Sequence, residues 1–260
     1  MLRLYSLGLS QFFLFAATVL AILANVGQVS QNIVARNIYL AKLKPGNVAQ
    51  HLREEGLTAD NIMANNQSAL LQKNQGVRNL YAIGMYGYCG GKSLKDERTC
   101  TEMNFGYVFE PDVIIGEDLP NADSKALQDL FSRYDIKPYA RKHWHPAFYL
   151  TFIGTIFVGV AFITTCLIHL AAIAVAGFFA SFGFLLLGVG AAIWTADLYG
   201  LNNSEPVGLV ITYGNALWFV WAACGSTLIG LPALFTSTYA GRTKWDDGIE
   251  RGNYYQTGAY

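Results

Sequence analysis

Between Ala147 and Leu198 the chain reads AFYLTFIGTIFVGVAFITTCLIHLAAIAVAGFFASFGFLLLGVGAAIWTADL, 52 residues with one acid, Asp197, and no lysine or arginine. One helix of that length would be about 78 Å long at 1.5 Å per residue. The hydrocarbon core of a bilayer is about 30 Å thick and takes about 20 apolar residues. The stretch is therefore two membrane helices joined by a very tight turn. The turn is expected near His169 to Gly177, which gives spans at 146–170 and 174–198.

Downstream, Tyr199-Gly-Leu-Asn-Asn-Ser-Glu-Pro206 is a break made by glycine, asparagine and proline together. It leaves a short loop at 199–206, a last span at 207–236 and a tail at 237–260. The tail carries Trp245, Asp246, Asp247, Tyr254, Tyr255 and Tyr260. It reads as a disordered end, with a cytoplasmic docking segment as the alternative. Upstream, residues 1–6 precede an apolar run at 7–27. A cleaved leader is the alternative there, because Arg3 precedes the run. The run is long for a leader, however, and Ile22-Leu23-Ala24 is a poor small-x-small cleavage site. A retained span is the reading, and the fold class is an all-α membrane protein, a four-transmembrane-helix bundle.

The whole composition agrees with this. Apolar residues make up 53% and charged residues 14%, against roughly 25% charged in an ordinary soluble domain. The 18 basic and 18 acidic residues cancel, so no global field draws the chain to nucleic acid. Small residues four apart let helices approach closely in lipid. Three such ridges are Ala172, Ala176 and Ala180; Gly188, Ala192 and Ala196; and Ala222, Ser226 and Gly230. Asn215, inside the last span, is expected to hydrogen-bond to a neighbouring helix, with a transport site as the alternative. His169 and Asp197 sit near helix ends and read as interfacial, with a proton relay as the alternative.

Between the first two spans lie 118 residues, Gln28 to His145, enough for a small mixed α/β domain. Ile33 to Leu43 has β-rich composition, and Val48 to Gln72 reads as one or two weak helices. Leu80 to Tyr88 and Phe105 to Ile115 read as strands, and Asn121 to Tyr134 as an amphipathic helix. Cys89 and Cys100 read as a disulfide. Two free thiols or a metal pair are the alternatives, the latter short of the four ligands a structural zinc takes. Cys166 and Cys224 read as small core residues, with acylation of Cys166 as an alternative. Asn66-Gln-Ser68 and Asn202-Asn-Ser204 are glycosylation sequons. Together the cysteines and sequons place the loop outside the cell and both termini in the cytoplasm. The Lys/Arg count at the span ends runs four against seven the other way, but loops beyond about 60 residues translocate largely regardless of charge.

Several fragments look like chemistry and fail. Gly90-Gly-Lys-Ser93 lacks the first glycine of a phosphate loop, a position held by Tyr86. His143-Trp-His145 offers two ligands and no third. No carboxylate pair or Ser/His/Asp grouping stands out, so neither catalytic residue, cofactor nor metal is expected.

Tyr81-Ala-Ile-Gly84-Met85-Tyr86-Gly-Tyr-Cys89, followed by Cys100, resembles the Gly-Leu-Trp-x-x-Cys…Cys signature of claudin-like four-span proteins, with Met85 and Tyr86 in place of Leu and Trp. It is more closely similar to the fungal Sur-seven/PalI family. That pattern has an aromatic-aliphatic strand after the first span, here Ile38-Tyr39-Leu40, then Tyr-x-x-Gly-aliphatic-aromatic-x-x-Cys, a second Cys, and an aromatic-acid-Pro element, here Phe109-Glu110-Pro111. The resemblance implies a claudin-like bundle and a non-enzymatic plasma-membrane protein of fungal cortical patches beneath which eisosomes assemble. The implied roles are in endocytosis, cell-wall integrity or sporulation. The implied partners are membrane lipids, lateral membrane proteins or further copies, eisosome components and cell-wall polymer. The PalI branch, which serves ambient-pH signalling, has a long cytoplasmic tail. The short tail here favours the patch branch, and an accessory role in pH sensing or calcium influx is the alternative.

Overall fold

A computed structural model describes residues 2–29, 33–46, 62–119, 137–167, 169–203 and 209–257. The elements are α1 (Leu2–Val26), α2 (Ile33–Asn37), β1 (Ala41–Lys44), β2 (Leu80–Ile83), β3 (Tyr88–Gly91), β4 (Arg98–Cys100) and α3 (Pro111–Asp118). They are followed by α4 (Lys137–Thr165), α5 (Leu170–Asn203), β5 (Val210–Tyr213) and α6 (Asn215–Thr257). Four helical stretches are long and apolar enough to cross a membrane: Leu4–Val26, His143–Thr165, Ala171–Leu201 and Asn215–Tyr239. The chain forms two compact units. One comprises Met1–Ala21, Phe152–Gly188 and Trp221–Tyr260; the other comprises Ile22–Thr151 and Val189–Val220.

Each spanning helix buries one stripe whose residues alternate three and four apart. In α1 the stripe is Leu7, Ser10, Leu14, Ala17, Ala21 and Ala24. In α4 it runs Trp144, Ala147, Thr151, Gly154, Val158, Ala161 and Thr165. In α5 it runs Ile173, Ala176, Ala180, Gly183, Leu187, Gly190, Trp194, Asp197 and Leu201, and in α6 Ala216, Val220, Ala223, Thr227, Gly230, Leu234 and Ser237. This is the heptad period of left-handed helix packing. Large apolar side chains point the other way, among them Phe12, Phe15, Phe178, Phe182, Trp218 and Leu228, as helices in lipid require.

The expected ridges four apart are corrected by this period. Ala176 and Ala180 are buried and Ala172 is half-buried, but Ala192, Ala196 and Ala222 are exposed, and Gly188 and Ser226 half-buried. Of the last ridge only Gly230 is buried, and a Cβ there would lie 3.4 Å from the Phe13 Cβ. The closest approaches are made by other glycines. A Cβ at Gly154 would lie 3.1 Å from the Leu187 nitrogen, one at Gly183 3.1 Å from the Val158 nitrogen, and one at Gly190 3.2 Å from the Thr151 nitrogen.

The junction between the second and third spans falls earlier than His169–Gly177, because α4 stops at Thr165 and α5 starts at Leu170. Thr164, Thr165 and Cys166 turn their side chains back onto the carbonyls of Val160 and Phe162, while the Cys166 and Leu167 N–H groups bond three residues back. That tightening ends the helix. Gln11 then donates to the Thr165 carbonyl at 2.8 Å, satisfying one of the acceptors a helix end leaves open. His169 supplies the carbonyl that accepts the Ile173 N–H.

The last span also begins later than residue 207. Val210-Ile-Thr-Tyr213 is apolar by composition but β-branched and aromatic, and it forms the edge strand β5, paired antiparallel with β1 from Ala41↔Tyr213 to Lys44↔Val210. The sheet order is β4-β3-β2-β1-β5. In the loop domain, Ile33–Asn37 is a helical turn rather than strand, the described part of 48–72 is non-helical, and Phe105 to Ile115 is not a strand. Pro111, whose fixed φ suits a first helical position, starts α3 instead. The amphipathic helix expected at 121–134 lies outside the described residues. α6 continues through the tail to Thr257, so that segment is helical rather than irregular.

Candidate functional site: the disulfide-pinned sheet and its anchor on the helices

The sheet is built around a hairpin. β2 and β3 pair from Leu80↔Gly91 to Ile83↔Tyr88, and the turn closes with Gly84 N–H donating to the Gly87 carbonyl at 2.8 Å. β3 and β4 place Cys89 directly opposite Cys100, and the two form a disulfide. Closing a loop with a sequence separation of 11 stabilises the domain by about 3 kcal/mol in the chain-entropy picture.

The Gly84-Met85-Tyr86 motif sits against the end of α1. A Cβ at Gly84 would run into the Gly27 carbonyl and the Gln28 side chain, so only glycine permits this approach. Gln28 adopts φ 59° and holds the returning chain, donating from Nε2 to the carbonyls of Arg36 at 2.8 Å and Ile38 at 2.9 Å. Met85 is fully buried. Tyr86 packs edge-on to Phe148 of α4 with ring centroids 5.3 Å apart. Phe109, also fully buried, packs on Trp144 at 5.2 Å. Trp144 meets Trp194 edge-on at 4.3 Å, and the Trp194 indole donates to Thr151 Oγ1 at 3.2 Å. Gly84, Tyr86 and Phe109 therefore fasten the sheet to the adjoining ends of α1, α4 and α5.

Asn215 completes the fastening at the other edge, which corrects its expected place inside the last span. It is the first residue of α6. Its carboxamide accepts from Tyr39 N–H at 2.9 Å and donates to the Asn37 carbonyl at 2.9 Å. With Gly214 N–H on the Leu40 carbonyl and Ala216 N–H on the Tyr39 carbonyl, it carries the β1–β5 ladder into the start of the helix. A Cβ at Gly214 would overlap the Tyr39 carbonyl.

A polar network fixes the underside of the sheet. Arg78 is fully buried and donates to the carbonyls of Asn66, Ala69 and Leu70 at 2.8, 3.2 and 3.1 Å. Tyr81 donates to Asp118 Oδ2 at 2.7 Å and accepts from the Arg78 N–H at 3.0 Å. Asp118 Oδ1 accepts from the Gln72 N–H at 2.8 Å. Burial, then the Asp118 charge, pushes the Tyr81 phenol well above its ordinary value, so it stays a donor. Burial also raises Asp118, against the opposing pull of its hydrogen bonds and of Arg78. Burial likewise raises Tyr88 and Tyr107.

Asp197 lies near the end of the third span and is buried against its neighbours. It is 1% exposed, with Oδ1 3.8 Å from His143 Nδ1, because the heptad register places it on the buried stripe of α5. His169 is exposed at the α4–α5 junction. His143 thus turns towards an acid, and no group of three or more His, Cys, Asp or Glu that could hold a metal occurs among the described residues. Asn66 is exposed, its Oδ1 accepting from the Ser68 N–H. Asn202 falls in the last turn of α5 rather than in a loop. Cys166 is an exposed thiol at the helix junction, and Cys224 is buried beside Gly188.

These features define a multi-pass membrane protein with four spanning helices and a small disulfide-containing sheet drawn from the two segments that follow α1 and α5. The model of the SUR7/PalI family matches residues 6–231, nearly the whole arrangement, and the chain belongs to that family. No curated protein matches it. The residues that sequence reasoning missed are Arg78, the His143–Asp197 pair and β5. The heptad spacing of Asp197 with Gly183 and Gly190 would have placed Asp197 on the buried stripe of α5, but it gives no pointer to His143.

Proposed function

We propose that this chain is a non-catalytic plasma-membrane protein that organises a lateral microdomain of the fungal cortical-patch type, with the disulfide-pinned domain outside the cell and both termini in the cytoplasm. The observation that supports it most is where the distinctive side chains go. Gly84, Tyr86, Phe109 and Asn215 fix the sheet on the helix ends and Tyr81 fixes its underside, so the chemistry of the motif is spent on presenting a rigid surface. An extracellular disulfide and an exposed sequon at Asn66 suit that orientation. The apolar outer faces of the four spans suit lateral association with lipid and neighbouring membrane proteins, eisosome components among them.

The test is imaging of a C-terminally tagged copy in a fungal host beside a marker of the furrow patches. Stable puncta on the marker are expected, together with loss of patch composition or wall-stress tolerance on deletion. Diffuse or internal signal from a functional fusion would overturn the reading.

A further inference from the structure

A cleft of about 530 Å³ opens beside the disulfide, within the 300–1,000 Å³ range of small-molecule sites. One wall is the Leu70–Lys73 segment; the other is the chain from Thr99 to Asn104, with Tyr88 and Tyr107 at the back. None of the motif contacts described above uses this space.

Its walls are preformed. Thr101 Oγ1 accepts from the Tyr88 N–H at 3.1 Å and donates to the Tyr88 carbonyl at 3.3 Å. Gln72 is tied to Asp118 through its N–H and to Glu117 through its side chain, and the Asn104 N–H donates to the Tyr86 carbonyl at 2.8 Å. Cys100 is held by the disulfide. A ligand entering would order little, which favours binding.

The chemistry of the lining selects the ligand by elimination. Among the described lining residues the charges are one cation, Lys73, and one anion, Glu102, which cancel, so neither an anionic group nor a cation is matched. The surface is more polar than apolar, which disfavours an acyl chain. What remains is a mixture of neutral donors and acceptors, with Asn104 offering both and Thr99 retaining acceptor capacity after donating to the Ser68 carbonyl. The Tyr107 ring sits 6.1 Å from that of Tyr88, and its hydroxyl is buried with no hydrogen-bond partner among the described residues. That hydroxyl is closed off from solvent, so a ligand in the cleft meets the ring of Tyr107 rather than its hydroxyl. Groups that each donate and accept, carried on apolar ring faces, are what sugars present.

We propose that this cleft binds a neutral saccharide, one or two rings of an oligosaccharide or polymer, through Asn104, Thr99, the ring of Tyr107, and the side chains of Lys73 and Glu102. The inference rests on the outward placement of the domain for its natural source of sugar, though not for the chemistry of the cleft.

The experiment uses the full chain in lipid nanodiscs, titrated with tetrasaccharides of glucose, mannose and N-acetylglucosamine and, as a charged control, inorganic phosphate. Saturable binding of at least one tetrasaccharide is expected, weakened about fivefold to tenfold by Tyr107→Leu, which removes the ring, and by Asn104→Ala. Tyr107→Phe removes a buried hydroxyl with no partner among the described residues and keeps the ring, so this control should bind like the parent and unfold at the same temperature or higher. No binding by any of the three, stronger binding of phosphate, or unchanged affinity in both Tyr107→Leu and Asn104→Ala would overturn the proposal. Labelling of Lys92 and Lys95 on intact cells by a membrane-impermeant amine reagent tests the outward placement separately. Unlabelled lysines would sink that placement and leave the titration result standing.

Discussion

The sheet and the spans reach a unique structure by opposite means. In the sheet, single specific contacts decide: the Cys89–Cys100 bond, the Arg78 guanidinium on three carbonyls, and the Tyr81–Asp118 hydrogen bond. In the spans no single contact dominates. A stripe of alanine, glycine, threonine and leucine repeats every three and four residues, and glycines let backbones approach where the stripes meet. Water around the sheet makes a buried polar group costly unless it is paired, so specificity there comes from satisfying such groups. Lipid around the spans removes the hydrophobic driving force between helices, so fit takes its place.

The largest expected effect lies where the two regions join. Gly214→Val would drive a side chain into the Tyr39 carbonyl, side chain against backbone that cannot swing away, and break the ladder that runs from β5 into α6. A loss of about 4 kcal/mol or more is expected, read as failure to elute as a monodisperse species in detergent. A well-folded variant would show that the junction is looser than drawn. The next effect is confined to the sheet. Replacing Cys89 and Cys100 together by alanine should cost about 3 kcal/mol in the unfolding of the loop domain. The spans, which owe nothing to that bond, should keep their helical circular-dichroism signal.

Legibility in the sequence divides along the same line. The four spans were readable because charge-free length is a coarse signal that survives errors of boundary. Their packing faces were misjudged, because a search for small residues four apart overlooks a stripe that alternates three and four. Ala192 and Ala196 met the first rule and face outward; Gly183 and Gly190, seven apart, met the second. The strand Val210–Tyr213 was absorbed into a span because an apolar β-branched run beside a helix has no periodicity of its own. Only its partner β1, almost 170 positions away, identifies it. Arg78 was invisible because a buried cation that serves carbonyls, rather than an acid, leaves no charge pattern to find.

That contrast can be sharpened within one helix. Gly183→Leu would press on Val158 and should destabilise by about 1–3 kcal/mol through overpacking. Ala192→Leu adds the same kind of bulk on an exposed face and should change the detergent melting temperature little. Equal effects of the two would refute the heptad assignment for α5, and a larger effect at Ala192 would restore the ridge of residues four apart.

The smallest effect separates the sheet from the spans by pH. Asp118 lies in the loop domain, and burial raises its carboxyl above the usual 3.8 despite the hydrogen bonds from Tyr81 and Gln72. A raised acid binds its proton more tightly when folded. Its contribution to stability is therefore complete below 3.8 and declines as pH rises through the raised value. The neighbouring phenols, held above their ordinary range, stay protonated throughout and do not blur the transition. Across that window the midpoint of loop-domain unfolding should fall with rising pH in the parent relative to Asp118→Asn, which removes the titrating group. Ordinary surface carboxylates are common to both proteins and cancel in the difference. Parallel pH profiles for the two would mean that the hydrogen bonds and Arg78 offset the burial of Asp118 in full. In that case the carboxyl would hold its proton no more tightly in the folded domain than in the unfolded chain, and the polar network would carry no pH dependence of its own. A parent that gained stability with rising pH would instead mean that the hydrogen bonds outweigh burial.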